Sequence, residues 1–284
     1  MKTNTWLSDI IEKGLNKLEA EKKLPGYFDI SAINSVPYIQ YPGFSEHELK
    51  LLQDRAKEVM KISRNENHYN EVSITYKKND LNKDHFIKVL GNCGNIFLDD
   101  DTMNLLNASD GQNELIAIMI HNHPNNSIFS VSDLLVFSEH PSIKLMEIIN
   151  KKGEIAFLLR PKSTNLSNIV IRSISDHIPD IKTRIANYQQ NNPDIEYTIS
   201  EISNKSEREA IYNDSIEQII NRGIICSHYI DQNGANALSF TNNKNTTLRT
   251  TPPKYENTLE TDIESNTYGY MENGEDGHDW FTKD

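Results

Sequence analysis

The feature that most restricts the fold of this chain is an unbroken run of six apolar residues, Leu115 to Ile120. An apolar run this short is typical of a β-strand that is buried on both faces of a sheet. The run leads directly into His121, where the sequence becomes polar. The sequence therefore predicts a central strand that ends in polar side chains.

Further strands are predicted on both sides of this run. Glu71 to Tyr76 has an alternating pattern, and His85 to Leu90 can pair with it. Downstream, Ile143 to Ile149 and Glu154 to Leu159 are joined by two lysines and a glycine, which predicts a hairpin.

The first 44 residues predict a helix followed by a connector. Apolar residues recur at helical spacing between Trp6 and Leu18, and charges of both signs lie between them. Because the charges are mixed, we interpret this helix as one that docks on the core of the protein itself. Residues 25–43 carry prolines, glycines and tyrosines without periodicity, which predicts an ordered connector.

Capping residues mark two helix starts. Ser45 and Glu48 form a capping box, and a second helix is predicted to open at Ser130 and to be limited by Pro141. A short helix is also expected over Thr102 to Ala108. The predicted inner stripe of the helix after Ser45 consists of Leu49, Leu52, Ala56, Val59 and Met60.

The last part of the chain divides into two segments. Residues 161–231 predict helices at about 180–190 and 206–221 and a strand at 223–230, and we interpret them as a helical accessory segment. Residues 232–284 are rich in Asn, Thr and acidic residues. Such a composition buries too little apolar surface to offset the entropy of ordering, so we expect this tail to be largely disordered.

Charge and cysteine content exclude several classes of function. The formal net charge is -12 and the pI is about 5.2, so nucleic acid is not an expected partner. Cys93 and Cys226 lie far apart, which argues against a disulfide framework or a thiolate zinc cluster and fits a reducing cytosol. Charges recur every few residues near the N-terminus, so we expect a cytoplasmic protein without a signal peptide or a membrane partner.

The segment after the apolar run offers a set of metal ligands. His121 and His123 are two residues apart in an extended run, so their side chains project from the same face. The next helix begins at Ser130, and Asp133 lies one turn inside it, on the side that can face the histidines. Two imidazoles and one carboxylate are ligands that catalytic zinc sites use, with a fourth position open to water. The sequence thus predicts a Zn²⁺ site.

A hydrolytic zinc site also needs a group that takes a proton from water and passes it to the leaving amine. Glu71, which opens a predicted strand, is the preferred candidate, and Glu66 and Glu114 are alternatives. Glu114 heads the histidine strand and should lie too far from its end. The Ser130 hydroxyl, at the rim of the site, is a candidate donor to an oxyanion.

At these residues a family resemblance can be stated. His121-x-His123-Pro124, followed by Ser130-x-x-Asp133, resembles the signature of the JAMM (JAB/MPN-type) zinc metalloproteases. Six residues separate the second histidine from the serine, one fewer than is usual in that family. Because the serine and the aspartate shift together, we interpret the difference as a shortened turn.

The resemblance implies roles for these side chains. His121, His123 and Asp133 would bind Zn²⁺, Glu71 would be the general acid/base, and Ser130 would assist the oxyanion. It further implies hydrolysis of peptide or isopeptide bonds in a protein substrate, often at ubiquitin-like tails.

The resemblance covers about residues 45–160 and implies an α/β fold for them. In that fold a curved mixed sheet is flanked by helices, as in the cytidine-deaminase-like sandwich of JAB/MPN domains. Two other functions remain open. One is a non-catalytic JAB-fold scaffold of phage-like, toxin-like or RadC-like type. The other is a metal-dependent nuclease, which the letters His-Asn-His suggest but the acidic charge opposes.

Overall fold

Helices and strands alternate along most of the chain. The computed structural model describes residues 13, 15–80, 86–92, 96–110, 115–191 and 202–232. The helices are α1 (Ile30–Asn34), α2 (Glu46–Glu66), α3 (Asp100–Asp110), α4 (Val131–Glu139), α5 (Ile169–His177), α6 (Ile181–Asn191) and α7 (Lys205–Asn221), and residues 15–21 are also helical. The strands are β1 (Val72–Lys77), β2 (Ile87–Leu90), β3 (Ala117–His123), β4 (Ile143–Asn150), β5 (Ile155–Leu159) and β6 (Ile225–Ile230).

The strands form one open mixed sheet in the order β2-β1-β3-β4-β5-β6. β3 runs parallel to β4, whereas every other pair of neighbouring strands is antiparallel. Helices pack on both faces of this sheet, so the prediction of an α/β protein with a mixed, helix-flanked sheet is confirmed.

Two layers of apolar side chains hold the helices to the sheet. The first core cluster joins the sheet to α2 and the N-terminal segment, and it includes Phe28, Ile33, Leu52, Val59, Ile74, Ile118, Ile120, Leu145 and Phe157. The second core cluster joins the other face to α4, α5 and α7, and it includes Met119, Leu134, Phe137, Ile148, Val170, Ile174, Ile211 and Ile216.

β3 is the central strand that the apolar run predicts. All of its residues are buried, and alternate side chains enter the two core clusters, with Ile118 and Ile120 on one face and Ala117 and Met119 on the other. Burial of each large aliphatic side chain contributes about 1.5–3 kcal/mol to stability. The strand begins at Ala117 and continues through His123, so both histidines belong to the sheet.

In the N-terminal part of the chain, the predicted start of α2 is observed, whereas the predicted connector differs from the structure. The Ser45–Glu48 capping box is present, and the predicted apolar stripe of α2 is buried. The connector, however, contains the helix α1, whose residues Ala32 and Ile33 pack into the first core cluster. Five residues are too few to give a helical periodicity in the sequence. Most of the predicted N-terminal helix, like the predicted acidic tail, lies outside the described residues.

The C-terminal elements belong to the same sheet and the same layers. The predicted strand at 223–230 is present as β6, which pairs with β5, and the two predicted helices are present as α6 and α7. Helix α5 was not predicted. It begins after Asn168, which has a positive φ of 64° and makes no side-chain cap. The start of this helix therefore lacks the capping interaction that a sequence pattern can reveal. Within the described ranges, no helix combines the length and apolar character needed to cross a membrane.

One buried arginine fixes helix α4 relative to the sheet. The Arg160 side chain is fully buried at the end of β5. Its guanidinium donates to the carbonyl oxygens of Phe137 (2.6 Å) and Ile143 (3.2 Å), and also to that of Thr164. These bonds join the C-terminal end of α4 to the start of β4, and they therefore help to position the helix that carries Asp133.

Candidate metal centre

The two histidines lie at the C-terminal end of β3, between two neighbouring strands. His121 pairs with Ser73 of β1 and with Ile148 of β4, which fixes the backbone on both sides. The imidazoles of His121 and His123 are buried and share the face of the sheet that carries the second core cluster. Helix α4 packs against that face.

Asp133 reaches the histidines from the first turn of α4. Ser130 is the N-cap residue, and its Oγ accepts a hydrogen bond from the Asp133 backbone N–H (3.1 Å). The backbone N–H and the hydroxyl of Ser130 both donate to Asp133 Oδ2, at 2.6 and 2.7 Å. The capping box thus fixes the carboxylate at the positive end of the helix dipole.

The three side chains bring their ligand atoms to one point. His121 Nε2 lies 3.2 Å from His123 Nε2 and 3.2 Å from Asp133 Oδ1, and His123 Nε2 lies 3.6 Å from Asp133 Oδ2. Ligands placed tetrahedrally about 2.0–2.1 Å from a zinc ion are separated by roughly 3.3–3.4 Å. The spacing of this cluster therefore fits a small divalent ion.

Protonation in the cluster also suits metal binding. His123 Nδ1 lies 3.0 Å from the Ser127 carbonyl oxygen, which can only accept, so Nδ1 carries the proton and Nε2 keeps a lone pair. Burial lowers the pKa of His123 to about 4, although the charge of Asp133 opposes this. Burial raises the pKa of Asp133. The adjacent imidazoles and Ser130 lower this pKa by more than burial raises it, so its net shift is downward. A neutral imidazole thus faces an ionised carboxylate.

Glu71 lies directly before β1 and next to the histidines. Continuing the register of Ser73 with His121 by two residues places Glu71 beside His123. Because side chains alternate along a strand, all of these residues share one face of the sheet. Burial, and then the nearby charge of Asp133, raise the pKa of Glu71 well above its ordinary value. The environment therefore favours the neutral form of this carboxyl when no cation is close.

Of the alternative carboxylates, Glu66 is described by the structure and is not part of this cluster. Glu66 lies at the end of α2, where its half-exposed carboxylate forms an ion pair of 2.7 Å with Lys88. Glu114 falls outside the described residues. Of the two candidates that the structure describes, Glu71 is the one that adjoins the ligands.

Ser130 contacts a ligand. Its hydroxyl donates to Asp133 Oδ2 and accepts from the Asp133 backbone, so in this structure it orients Asp133. A hydrogen bond from Ser130 to an oxyanion would require the first of these bonds to break, and that role stays a prediction.

Two further residues support the cluster and were not predicted from the sequence. The Ser127 carbonyl oxygen orients His123, and the hydroxyl of Tyr229, from β6, donates to the same oxygen. Tyr229 is 102 residues away from Ser127 along the chain, and no local pattern connects them. Such partners of a ligand commonly tune the affinity of a site for its metal.

Fold and site together define an α/β protein with a candidate metal centre of two histidines and one aspartate. No protein-family model matches the chain, and no curated protein sequence matches it. The resemblance to the JAMM family therefore depends on the residues of the site and their arrangement.

Proposed function

We propose that this protein is a metal-dependent hydrolase of the JAMM type, which cleaves peptide or isopeptide bonds. The observation that carries the proposal is the convergence of His121 Nε2, His123 Nε2 and the two Asp133 carboxylate oxygens at separations of 3.2–3.6 Å, with Glu71 directly before the adjacent strand β1. Zn²⁺ is the ion we propose, because two imidazoles and a carboxylate form a donor set that catalytic zinc sites use.

The residues of the site divide the chemistry between them. A bound zinc ion would lower the pKa of a coordinated water and polarise the scissile carbonyl. Glu71, buried and close enough to feel the charge of Asp133, would accept a proton from the attacking water and deliver it to the leaving amine. Ser130 holds Asp133 by two hydrogen bonds to Oδ2, and the Ser127 carbonyl oxygen holds His123 in the tautomer that leaves Nε2 free.

The arrangement of the elements also supports the JAB/MPN-like fold for this chain. The histidines lie at the end of a central strand, and the aspartate opens the helix that follows. Glu71 precedes the antiparallel neighbour of that strand. This order of elements is the one that the His-x-His and Ser-x-x-Asp motifs imply in the family. We propose a protein substrate, with ubiquitin-like tails as the first class to test.

Metal analysis and one matched pair of variants test the proposal. Purified protein should contain about one zinc per chain, and His123→Ala should lose it. Glu71→Gln should keep the zinc and lose cleavage of an isopeptide-linked ubiquitin dimer and of an internally quenched peptide library, because the proton acceptor is removed while the ligands remain. Glu66→Gln is the control, since Glu66 lies in a surface ion pair, and it should cleave normally.

Two results would contradict the proposal. Protein that neither contains nor binds zinc would favour the non-catalytic scaffold. Cleavage by Glu71→Gln at the rate of the unchanged protein would remove Glu71 from the mechanism.

A further inference from the structure

Asn122 lies between the two histidines in β3, but its side chain projects from the opposite face of the sheet. Neighbouring residues of a strand alternate in direction, so this side chain points toward α2 and away from the candidate metal centre. Asn122 is only 2% exposed. A buried amide in this position requires hydrogen-bond partners, and the partners that it has lie on either side of Glu71.

The Asn122 amide bonds to both peptide units that flank Glu71. Its Oδ1 accepts from the backbone N–H of Val72 at 2.8 Å, and its Nδ2 donates to the carbonyl oxygen of Asn70 at 3.3 Å. Nδ2 also donates to Ser63 Oγ at 3.2 Å, and that hydroxyl donates to the Asn70 carbonyl oxygen at 2.7 Å. One side chain therefore ties the histidine strand, helix α2 and the Glu71 backbone together.

The other two polar groups of these peptide units are the N–H and the carbonyl oxygen of Glu71. Both bond to the segment that directly follows β2. The Glu71 N–H donates to the Asn92 carbonyl oxygen at 3.0 Å, and the Glu71 carbonyl oxygen accepts from the Gly91 N–H at 2.9 Å. All four backbone groups around Glu71 are thus held, two of them by Asn122. The backbone of Glu71 has little freedom while these bonds persist.

The segment before Glu71 needs this support. His68 and Tyr69 are consecutive residues with positive φ values of 51° and 64°, a conformation that side-chain-bearing residues rarely adopt. Such strained conformations persist when surrounding contacts determine them, and they cluster at functional sites. The bonds of Asn122 and Ser63 to the Asn70 carbonyl oxygen lie directly after this turn.

We propose that Asn122 is a positioning residue, which holds Glu71 at a fixed distance from His121 and His123 for proton transfer. The inference rests on the proposed function. Asn122 contributes no ligand and contacts no substrate, because it acts from the far face of the sheet. It belongs to the same strand as the histidines, so its bonds join the proton acceptor directly to the strand that carries two of the ligands.

The positioning role is tested first in metal-free protein, by hydrogen exchange of single amides. Asn122→Ala should make exchange of the Val72 amide at least tenfold faster, because its acceptor is lost. Asn150→Ala is the matched control. Asn150 is an equally buried asparagine at the end of β4, and its side chain accepts from the backbone N–H groups of Lys152 and Glu154 in the β4–β5 turn. This control should leave exchange of the Val72 amide unchanged.

The second readout separates catalysis from binding in the zinc-loaded protein. Asn122→Ala should keep its zinc affinity, measured by competition with a chromophoric chelator, within about threefold. Its kcat for the peptide or isopeptide probe should fall at least tenfold while KM changes little. Asn122→Asp keeps the acceptor for Val72 but loses the donor to Asn70, so its kcat should lie between those of Asn122→Ala and the unchanged protein. If Asn122→Ala does not fold, the same measurements on Asn122→Asp and the unchanged protein provide the test.

The possible failures are distinguishable. Fast exchange at Val72 together with an unchanged kcat would overturn the positioning role of Asn122. Unchanged protein that binds no zinc and cleaves no probe would instead overturn the proposed function.

Discussion

Replacing Glu147 with Gln should make the stability of the protein much less sensitive to pH. Glu147 lies in β4 beside Ile120 of β3, on the face of the first core cluster and away from the candidate metal centre. Its side chain is 1% exposed, and its Oε2 has no hydrogen-bond partner among the described residues. Burial raises the pKa of Glu147 to about 8, an effect that the nearby Tyr41 hydroxyl partly offsets.

The size of the effect follows from the difference between the folded and unfolded pKa values. The unfolded chain releases this proton near pH 4.5, whereas the folded protein keeps it to about pH 8. The unfolded state therefore binds fewer protons in this window, and stability falls as pH rises. At about 1.4 kcal/mol per pH unit, the loss reaches roughly 3 kcal/mol at pH 7. In Glu147→Gln the side chain at this position cannot ionise, so its stability does not fall for this reason.

Urea unfolding at a series of pH values measures this difference. The unchanged protein and Glu147→Gln should be compared at pH 5, 6, 7 and 8 with a chelator present, because metal binding has its own pH dependence. The stability advantage of Glu147→Gln should grow by about 3 kcal/mol from pH 5 to pH 8. Glu66→Gln, at a half-exposed position, is the control and should show no comparable growth. An advantage that stays constant over this range would refute the neutral, buried state of Glu147.

Three further predictions concern the support of the candidate metal centre. Ser130→Ala removes the helix cap and a hydrogen bond to Asp133, so it should lower the free energy of unfolding by about 1 kcal/mol. It should also weaken zinc binding about tenfold in a chelator competition, and an unchanged zinc affinity would contradict this role. Tyr229→Phe removes a donor to the Ser127 carbonyl oxygen and should weaken zinc binding by about tenfold in calorimetry, whereas equal affinities would exclude such support. Arg160→Met leaves buried carbonyl oxygens without a donor and should lower the free energy of unfolding by roughly 3 kcal/mol, with a loss below about 1 kcal/mol as the contradicting result.

Local features of the sequence were sufficient to predict the elements that carry the candidate ligands. The apolar run before His121 predicted a buried strand, and the structure has β3 there. Ser130 predicted a helix start, which is observed together with its capping box. Both predictions depend on short-range rules, namely the alternation of side chains along a strand and the pairing of the first backbone N–H groups of a helix with a nearby oxygen.

Short or weakly marked elements could not be predicted in this way. Helix α1 has five residues, and α5 follows a residue in the left-handed conformation without a side-chain cap. Both helices are stabilised because apolar side chains such as Ile33 and Ile174 pack into a core cluster. That stabilisation depends on the partner surface, which the local sequence does not contain.

Only the tertiary structure decided which distant groups join the candidate site. The sequence proposed Glu71 and left Glu66 open. Extending the antiparallel register of β1 with β3 by two residues beyond Ser73 and His121 then brings Glu71 beside His123. The contact of Tyr229 with Ser127 depends on the pairing of β6 at the far side of the sheet. Strand order and register arise from packing between segments far apart in the chain, so the residue pattern within any one segment does not specify these contacts.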